Sequence, residues 1–254
     1  WGWIPSKAFG GSWGGHLSLA REVYGLADGT LAVRLAEPVS RQIRGRLMER
    51  ELGRSMPWHV RLVKKVPHGA GLGGGSSDAA AVLRGLRKLY APELPVEALE
   101  RMGMELGSDV PYCVRGGTAL VQGKGEQLLS LRALPECWFV VCKPQVSFST
   151  AEMYRRLDEA GMAVHPDTRR MMDALQRRDL AEIFSRIGNV FEQVLSPGSE
   201  IFAIRDRLLT LGAGTACMSG SGSTVVGIFS QEEAARSSAA AMTEVPFVRC
   251  VGRG

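Results

Sequence analysis

The fold of this chain is indicated first by the stretch Pro67-His-Gly-Ala-Gly-Leu-Gly-Gly-Gly-Ser-Ser-Asp-Ala-Ala80, which holds five glycines within seven positions. Glycine has no Cβ, so successive backbone N–H groups can turn towards one anion and the chain can adopt positive φ. The helix predicted to follow begins with unpaired N–H groups and a partial positive charge. The stretch therefore predicts a phosphate-binding loop. The residues assigned to it are Pro67, Gly69, Gly71, Leu72, Gly73, Gly74, Gly75, Ser76 and Ser77.

Two familiar glycine loops fit this stretch less well. Gly69-x-Gly71-x-x-Gly74 formally matches the dinucleotide fingerprint, but no well-placed acidic residue follows about 20 positions later. A nicotinamide-dependent oxidoreductase is therefore the weakest alternative. No lysine follows the glycines, which excludes a Walker A loop. A plain flexible loop or helix cap is disfavoured because five glycines lie between a predicted strand and a predicted helix.

The segments around the loop are a mixture of predicted strands and helices, with no internal repeat. His59 to Val66 is predicted as a strand, and Val96–Leu106 as a helix. The helix after the loop carries an apolar stripe that is expected to be core, made of Ala79, Val82, Leu83, Leu86 and Leu89. Strand material is also predicted at 22–35, 137–142, 224–229 and 245–251. Further helices are predicted at 40–52, 149–160, 168–177, 179–195, 198–211 and 231–242.

This mixture of elements predicts an α+β fold with two layers, rather than an alternating parallel βαβ array. The expected domain boundary lies at Lys143-Pro144, which gives an ATP-binding domain at 1–143 and a second domain at 144–254. A turn is expected at 107–111.

The overall composition is that of a globular protein. It distinguishes only weakly between the possible classes of binding partner. The chain has 254 residues, 45% hydrophobic and 22% charged, with a net charge of +5. That charge suits an anionic small ligand, and no dense Lys/Arg block interleaved with aromatics points to nucleic acid. No apolar run approaches the roughly 20 residues of a membrane helix. The five cysteines show neither disulfide nor CxxC metal spacing, and His59, His68 and His165 lack partners at metal-ligand spacing.

Three further features become candidates for chemistry. A carboxylate at Asp109, within Gly107-Ser-Asp-Val-Pro111, could accept a proton from an alcohol that attacks a γ-phosphate, although an Asp before Pro also simply forms turns. Met218-Ser-Gly-Ser-Gly-Ser-Thr224 offers donors for a second anion, or is a plain loop. Lys7 could neutralise developing charge, or be a solvated lysine near the start of the chain.

The order of these motifs along the chain resembles that of the GHMP kinase superfamily. It resembles in particular the branch that acts on a cytidine diphosphate-linked polyol. The resemblance runs from about Val60 to Phe229. Besides the phosphate loop, it rests on the blocks Gly107-Ser-Asp-Val-Pro-Tyr112, Gly116-Gly-Thr-Ala119, Gly123-Lys-Gly-Glu126, Lys143-Pro144, Ser149-Thr-Ala-Glu-Met-Tyr154 and Met218–Thr224.

The resemblance implies a two-domain GHMP kinase-like fold with the active site in the interdomain cleft. It implies transfer of a phosphoryl group from ATP, with Mg²⁺, to the 2-hydroxyl of the methylerythritol unit of the polyol in isoprenoid (terpenoid) precursor biosynthesis. Asp109 would be the general base, and Lys7 would orient the hydroxyl. Tyr154 would stack on cytosine. The full set of implied substrate contacts is His16, Thr150, Tyr154, Gly220, Ser221 and Gly222.

The amino-terminal segment departs from the family pattern. Phe9 stands where the family usually has Asn, and Trp13 and Gly15 stand where it has Asp and Tyr, while His16 matches. These departures leave two alternatives open: a GHMP kinase for another small alcohol, such as homoserine or a mevalonate-like acid, or a catalytically silent ligand-binding homologue. We further expect a cytoplasmic monomer or weak homodimer with no nucleic-acid or membrane partner and no protein metal ligands.

Overall fold

The structure is a computed structural model that describes residues 46–55, 66–161 and 164–252. These residues form two compact units. The amino-terminal unit contains 46–55, Val66 and 73–130, and the carboxyl-terminal unit contains Pro67–Leu72 and 131–252. The glycine-rich stretch thus contributes residues to both units. The segments predicted at 22–35 and 59–65 lie outside the described residues.

The amino-terminal unit is built on the helix that follows the glycines. Its elements are α1 (Arg46–Leu52), α2 (Gly74–Tyr90), α3 (Val96–Leu106), α4 (Val110–Arg115), β1 (Ala119–Gln122) and β2 (Gln127–Ser130). Helices α2 and α3 confirm the sequence prediction. The side chains Ala79, Val82, Leu83 and Leu86 of α2 are buried with Met48, Leu99, Met102, Val110 and Val114.

Two expectations for this unit are wrong. Leu89 is 43% exposed rather than core, because in the last turn of α2 it is Tyr90 that packs against the core. The turn expected across 107–111 ends at Asp109, and α4 begins at Val110 with Pro111 in its first turn, where a missing N–H is harmless.

The antiparallel hairpin β1–β2, with Leu120 opposite Leu129, was not predicted, since each strand is only four residues long and mostly exposed.

The carboxyl-terminal unit contains a four-stranded antiparallel sheet. Its strands are β3 (Trp138–Lys143), β4 (Thr215–Met218), β5 (Val225–Phe229) and β6 (Phe247–Gly252), in the order β4-β5-β3-β6. Val140 lies opposite Gly227 of β5 on one side and Cys250 of β6 on the other. The central strands β3 and β5 are almost entirely buried, which explains their continuous apolar sequences. Because β3 pairs with both β5 and β6, it belongs with the elements that follow it, whereas the sequence placed it before the domain boundary.

Helices pack against this sheet within the unit. They are α5 (Thr150–Ala160), α6 (Thr168–Arg177), α7 (Leu180–Arg186), a 3₁₀ helix (Val190–Val194), α8 (Glu200–Thr210) and α9 (Glu232–Ala241). Ser149, Asp167 and Asp179 accept hydrogen bonds from backbone N–H groups at the starts of α5, α6 and α7. Among the described helices, none is both long and apolar enough to cross a membrane.

The single helix predicted over 179–195 is wrong. Helix α7 ends at Arg186, Ile187 is extended, and Asn189 starts the 3₁₀ helix by accepting a hydrogen bond from Phe191 N. The chain breaks here because the Asn189 side chain is used in a tertiary contact described below. Local helical periodicity does not reveal such a contact.

Candidate active site

The amino-terminal end of α2 has backbone N–H groups that no side chain caps. Gly73 precedes the helix with φ of 60°, and Ser77 N donates to Gly73 O at 2.9 Å. No side chain caps this end, and its first turn contains no acidic residue. The first N–H groups of a 17-residue helix therefore keep their partial positive charge available, as the phosphate-loop prediction requires.

Cys113 interacts both with Asp109 and with residues at the start of α2. Its thiol hydrogen-bonds Ser77, and it interacts electrostatically with Asp109, Arg84 and Asp78. Burial raises the pKa of Cys113 to about 12, so the thiol stays protonated and acts as a neutral spacer. Two residues predicted separately, Ser77 for phosphate binding and Asp109 for proton transfer, thus share one neighbour.

The Asp109 carboxyl group keeps solvent access but is partly surrounded by protein. It stands directly before α4, and Asp109 O accepts from Cys113 N at 3.0 Å. Desolvation raises the pKa of Asp109 above its ordinary value, while its exposed surface limits the effect. A carboxylate with a raised pKa is a stronger base, which is the property that proton transfer needs.

The turn of the β1–β2 hairpin fixes the backbone next to Asp109. A Cβ added to Gly125, whose φ is 117°, would lie 2.0 Å from Ser108 O. Glu126 closes the same turn by accepting from Lys124 N at 2.7 Å, and hydrogen bonds from backbone N–H groups lower its pKa. The resemblance included the block Gly123–Glu126 without a role, and the structure gives it one: the turn packs directly on Ser108.

In the carboxyl-terminal unit, the first half of the phosphate loop is locked to the second glycine-serine loop. Ser219 Oγ donates to Gly71 O at 2.7 Å, and Thr224 N donates to Ala70 O at 3.2 Å. The approach is so close that a Cβ on Gly71 would lie 2.0 Å from Ser219 O. The second loop is closed internally by Ser219 N to Thr224 O at 2.7 Å. The loop at 218–224 is therefore fixed against Ala70 and Gly71.

Asn189 supports this second loop through hydrogen bonds to its backbone. The sequence analysis did not predict this role. Its Nδ2 donates to Met218 O and to Gly220 O, both at 2.7 Å, and its Oδ1 accepts from Phe191 N at 3.0 Å. The residue is only 6% exposed. No sequence signal indicated this role, because Asn189 stood inside the helix predicted over 179–195.

Glu192 reinforces the same loop. Its Oε1 accepts from Met218 N at 2.5 Å, and its other oxygen pairs with Arg205 at 3.5 Å. Burial raises the pKa of Glu192, while the Met218 N–H and the Arg205 guanidinium oppose that shift.

We expect Asn189→Ala to lower the free energy of unfolding by about 2–3 kcal/mol, because it leaves two buried carbonyl oxygens and one N–H without their partner. Chemical denaturation measures the effect, and Gln176→Ala, at an exposed position of α6, serves as the matched control. Equal unfolding midpoints for Asn189→Ala and wild type would contradict the assigned role.

The implied substrate residues of this unit come together. Thr150 Oγ1 and Ser221 Oγ lie 2.9 Å apart, which joins the start of α5 to the loop that contains Gly220 and Gly222. The Tyr154 ring meets the Phe191 ring edge-on, with 5.0 Å between the ring centroids. Thr150 thus lies against the loop that contains Gly220, Ser221 and Gly222, and Tyr154 packs on Phe191 one turn farther along α5.

Comparisons with known proteins show which family the chain belongs to. Family models match at residues 38–117, for the GHMP kinase N-terminal domain, and at residues 171–246, for the GHMP kinase C-terminal domain. A crystal structure of 4-(cytidine 5'-diphospho)-2C-methyl-D-erythritol kinase superposes with a TM-score of 0.69 and 31% identity, over 85% of this chain and 78% of that one. The chain belongs to the GHMP kinase family. The α+β, two-domain expectation is confirmed with it.

Two further relatives of this GHMP kinase differ in what they show. A Bacillus velezensis protein named 4-diphosphocytidyl-2-C-methyl-D-erythritol kinase is 45% identical over 174 residues, which is 68% of this chain and 60% of that protein. The chain thus spans about three fifths of the length of that relative. A homoserine kinase from Cytophaga hutchinsonii has a TM-score of 0.68 at 19% identity, over 88% of this chain and 82% of that one, which shows the shared fold alone.

Other predictions for this GHMP kinase are not reached by the described residues. Lys7 and His16, with the altered Phe9, Trp13 and Gly15, lie outside them. Within the described ranges, no cluster of three His, Cys, Asp or Glu side chains could hold a metal ion. His68 and His165 are exposed, and Cys137, Cys142 and Cys217 are buried thiols.

Proposed function

We propose that this GHMP kinase transfers the γ-phosphoryl group of ATP to the 2-hydroxyl of 4-diphosphocytidyl-2-C-methyl-D-erythritol, in non-mevalonate isoprenoid precursor biosynthesis. The observation that carries the chemistry is the uncapped start of α2 with Asp109 as a near neighbour through Cys113. The acceptor is supported by the names of the relatives at 45% and 31% identity.

Phosphate binding in this proposal uses the free N–H groups at the start of α2 and the backbone of Gly69 to Gly75. Backbone donors and the helix dipole stabilise the phosphate oxygens without a lysine. Mg²⁺, when bound with the nucleotide, would neutralise charge on those oxygens. Its ligands would be phosphate oxygens and water, because magnesium dehydrates reluctantly and is commonly held through substrate phosphates.

Proton transfer is assigned to Asp109 and orientation of the hydroxyl to Lys7. The Asp109 carboxylate would accept the proton of the 2-hydroxyl as that oxygen attacks the γ-phosphorus, and ADP would leave. The raised pKa of Asp109 supports this role, because a stronger base shares the proton earlier in the reaction. Positioning and charge neutralisation supply the remainder of the rate enhancement.

Recognition of the acceptor is assigned to the surface around Thr150 and Ser221. Backbone N–H groups of Gly220 and Ser221 would bind the diphosphate in a loop that Gly222 closes through its bond to Ser219 O, and Tyr154 would stack on cytosine with His16 as a polar contact. The edge-on contact with Phe191 supports a fixed Tyr154 ring, since a ring held in one orientation loses little entropy when a base stacks on it. We further propose a cytoplasmic monomer or weak homodimer.

The acceptor is tested by ADP release from ATP and Mg²⁺. We expect turnover with 4-diphosphocytidyl-2-C-methyl-D-erythritol and background rates with homoserine, mevalonate or no acceptor. CDP and CMP should inhibit competitively, because only a cytidine site responds to them.

Each other result rejects a defined part of the proposal. Turnover with homoserine or mevalonate instead would reject the cytidine acceptor while keeping phosphoryl transfer. Nucleotide binding without turnover on any acceptor would reject catalysis and favour a silent ligand-binding homologue.

A further inference from the structure

Lys143 is a buried cation for which the proposed chemistry has no use. It ends β3, is 7% exposed, and forms hydrogen bonds only to neutral oxygens among the described residues. Burial lowers the pKa of Lys143, and Glu200 opposes this shift from a distance as the charged group that faces it. A lysine side chain is rarely buried unless partners for its ammonium group offset the loss of hydration.

The ammonium group uses all its donors on one short segment. Lys143 Nζ donates to Pro144 O at 2.6 Å, to Val146 O at 2.9 Å and to Ser147 Oγ at 3.2 Å. An ammonium group has three N–H donors, and three acceptors take them here. Lys143 therefore has no donor left for a phosphate, so any effect on a ligand must pass through residues 144–147.

That segment is joined to the second loop at two points. The carbonyl oxygen of Val146, which accepts from Lys143, also accepts from Ser223 Oγ. Farther along the same segment, Thr150 Oγ1 and Ser221 Oγ lie 2.9 Å apart. Ser223 is fully buried, so its hydroxyl cannot exchange Val146 for water. The position of Ser221 and its neighbours thus depends on the segment that Lys143 folds.

We propose that Lys143 is a positioning residue that sets the geometry of the acceptor-binding loop Gly220–Ser223 by organising residues 144–147. The inference rests on the proposed function for the identity of the acceptor, but the link from Lys143 to the loop is independent of it. Lys143 itself touches no substrate.

The test compares Lys143→Met with Lys88→Met, which makes the same change at an exposed lysine of α2. Met keeps the aliphatic stem and removes the three donors. We expect kcat/KM for the cytidine acceptor to fall about 10- to 100-fold in Lys143→Met, since small displacements of positioning groups have effects of that order. Nucleotide affinity should fall by a clearly smaller factor, because the loop contacts only the first half of the phosphate loop, at Ala70 and Gly71, among the described residues. Lys88→Met should behave as wild type in both measurements.

Hydrogen–deuterium exchange provides a readout without turnover. Ser219 N and Gly222 N are bonded within the loop, to Thr224 O and Ser219 O. We expect their exchange, and that of residues 145–150, to become about tenfold faster in Lys143→Met, because the loop opens more often once its support is lost. Exchange in the amino-terminal unit should not change.

If Lys143→Met does not fold, Ser223→Ala removes only the hydroxyl that joins the loop to Val146, and we expect the same pattern with a smaller amplitude. Unchanged exchange at 219–224 would overturn the link between Lys143 and the loop. Faster exchange with unchanged kcat/KM would overturn the positioning role, as would an equal loss of nucleotide affinity. If the wild-type protein turns over no cytidine acceptor, the proposed function fails, while exchange still decides whether Lys143 holds the loop.

Discussion

Replacing Asp109 with Asn is expected to lower kcat by about 10²–10⁴ while leaving nucleotide affinity intact, because the amide keeps the shape of the side chain but cannot accept the proton. The backbone contact from Asp109 O to Cys113 N is unaffected by the change. Steady-state kinetics with the cytidine acceptor, together with equilibrium binding of a nucleotide, measure the two effects. Asp173→Asn, at an exposed position of α6, is the matched control.

The pH dependence of the same reaction follows from the direction of the Asp109 shift. Desolvation raises its pKa above the roughly 3.9 of an ordinary aspartate. The base is active when ionised, so kcat/KM should fall as the pH drops through this raised pKa, and the acidic limb should lie at a higher pH than an ordinary aspartate would give. That limb should vanish in Asp109→Asn.

Asp109→Asn should lower activity but should not lower the stability of the folded protein. A carboxyl group whose folded-state pKa is raised makes no difference to stability below the unfolded-state pKa, and destabilises the protein increasingly up to the raised pKa. Above that pH the destabilisation is complete, so Asp109→Asn should unfold at the same or a higher temperature near neutral pH. A variant that keeps wild-type turnover would refute the assignment, and a variant that unfolds earlier would point to a structural role instead.

The second large effect is expected from Gly73→Val. Gly73 has φ of 60°, and a Cβ built on it meets no protein atom within 4 Å. The side chain would thus enter the open space before α2 where the phosphates are proposed to lie. Losing two hydrogen bonds to a charged group corresponds to a decrease in nucleotide affinity on the order of 10²–10⁴-fold. The strain of a β-branched residue at positive φ adds only about 1–2 kcal/mol of destabilisation.

Gly71→Val separates phosphate binding from loop packing. At Gly71 a Cβ would lie 2.0 Å from Ser219 O and 2.9 Å from Gly222 O, so the change should lower both stability and nucleotide affinity. Gly73→Val should lower mainly affinity. Isothermal titration with an ATP analogue and thermal unfolding, run on both variants, distinguish the two cases. Unchanged nucleotide affinity in Gly73→Val would remove the phosphate loop from the proposal.

Features that depend on neighbours in sequence were predicted. The five glycines before an amphipathic helix indicated a strand–loop–helix phosphate site, and the structure gives α2 an uncapped start there. The buried strands β3 and β5 and the helices α2, α3, α5 and α6 follow from local apolar periodicity and capping residues. Asp109 was singled out as a carboxylate, although its shifted pKa depends on surroundings that no local pattern reveals.

The sequence by itself therefore determined the family, the glycine-rich loop before an uncapped α2 and the order of most elements. Only the tertiary structure decided how the loops are held: Gly71 by Ser219, 148 positions away, the second loop by Asn189, and Ser108 by the hairpin turn at Gly125. It also ended the helix predicted over 179–195 at Arg186, because Asn189 bonds to Met218 and Gly220 rather than continuing a helical face. The physical reason is the same in each case: a hydrogen bond between distant residues is specified by the packing that brings them together, and propensity or periodicity reports only on residues a few positions apart.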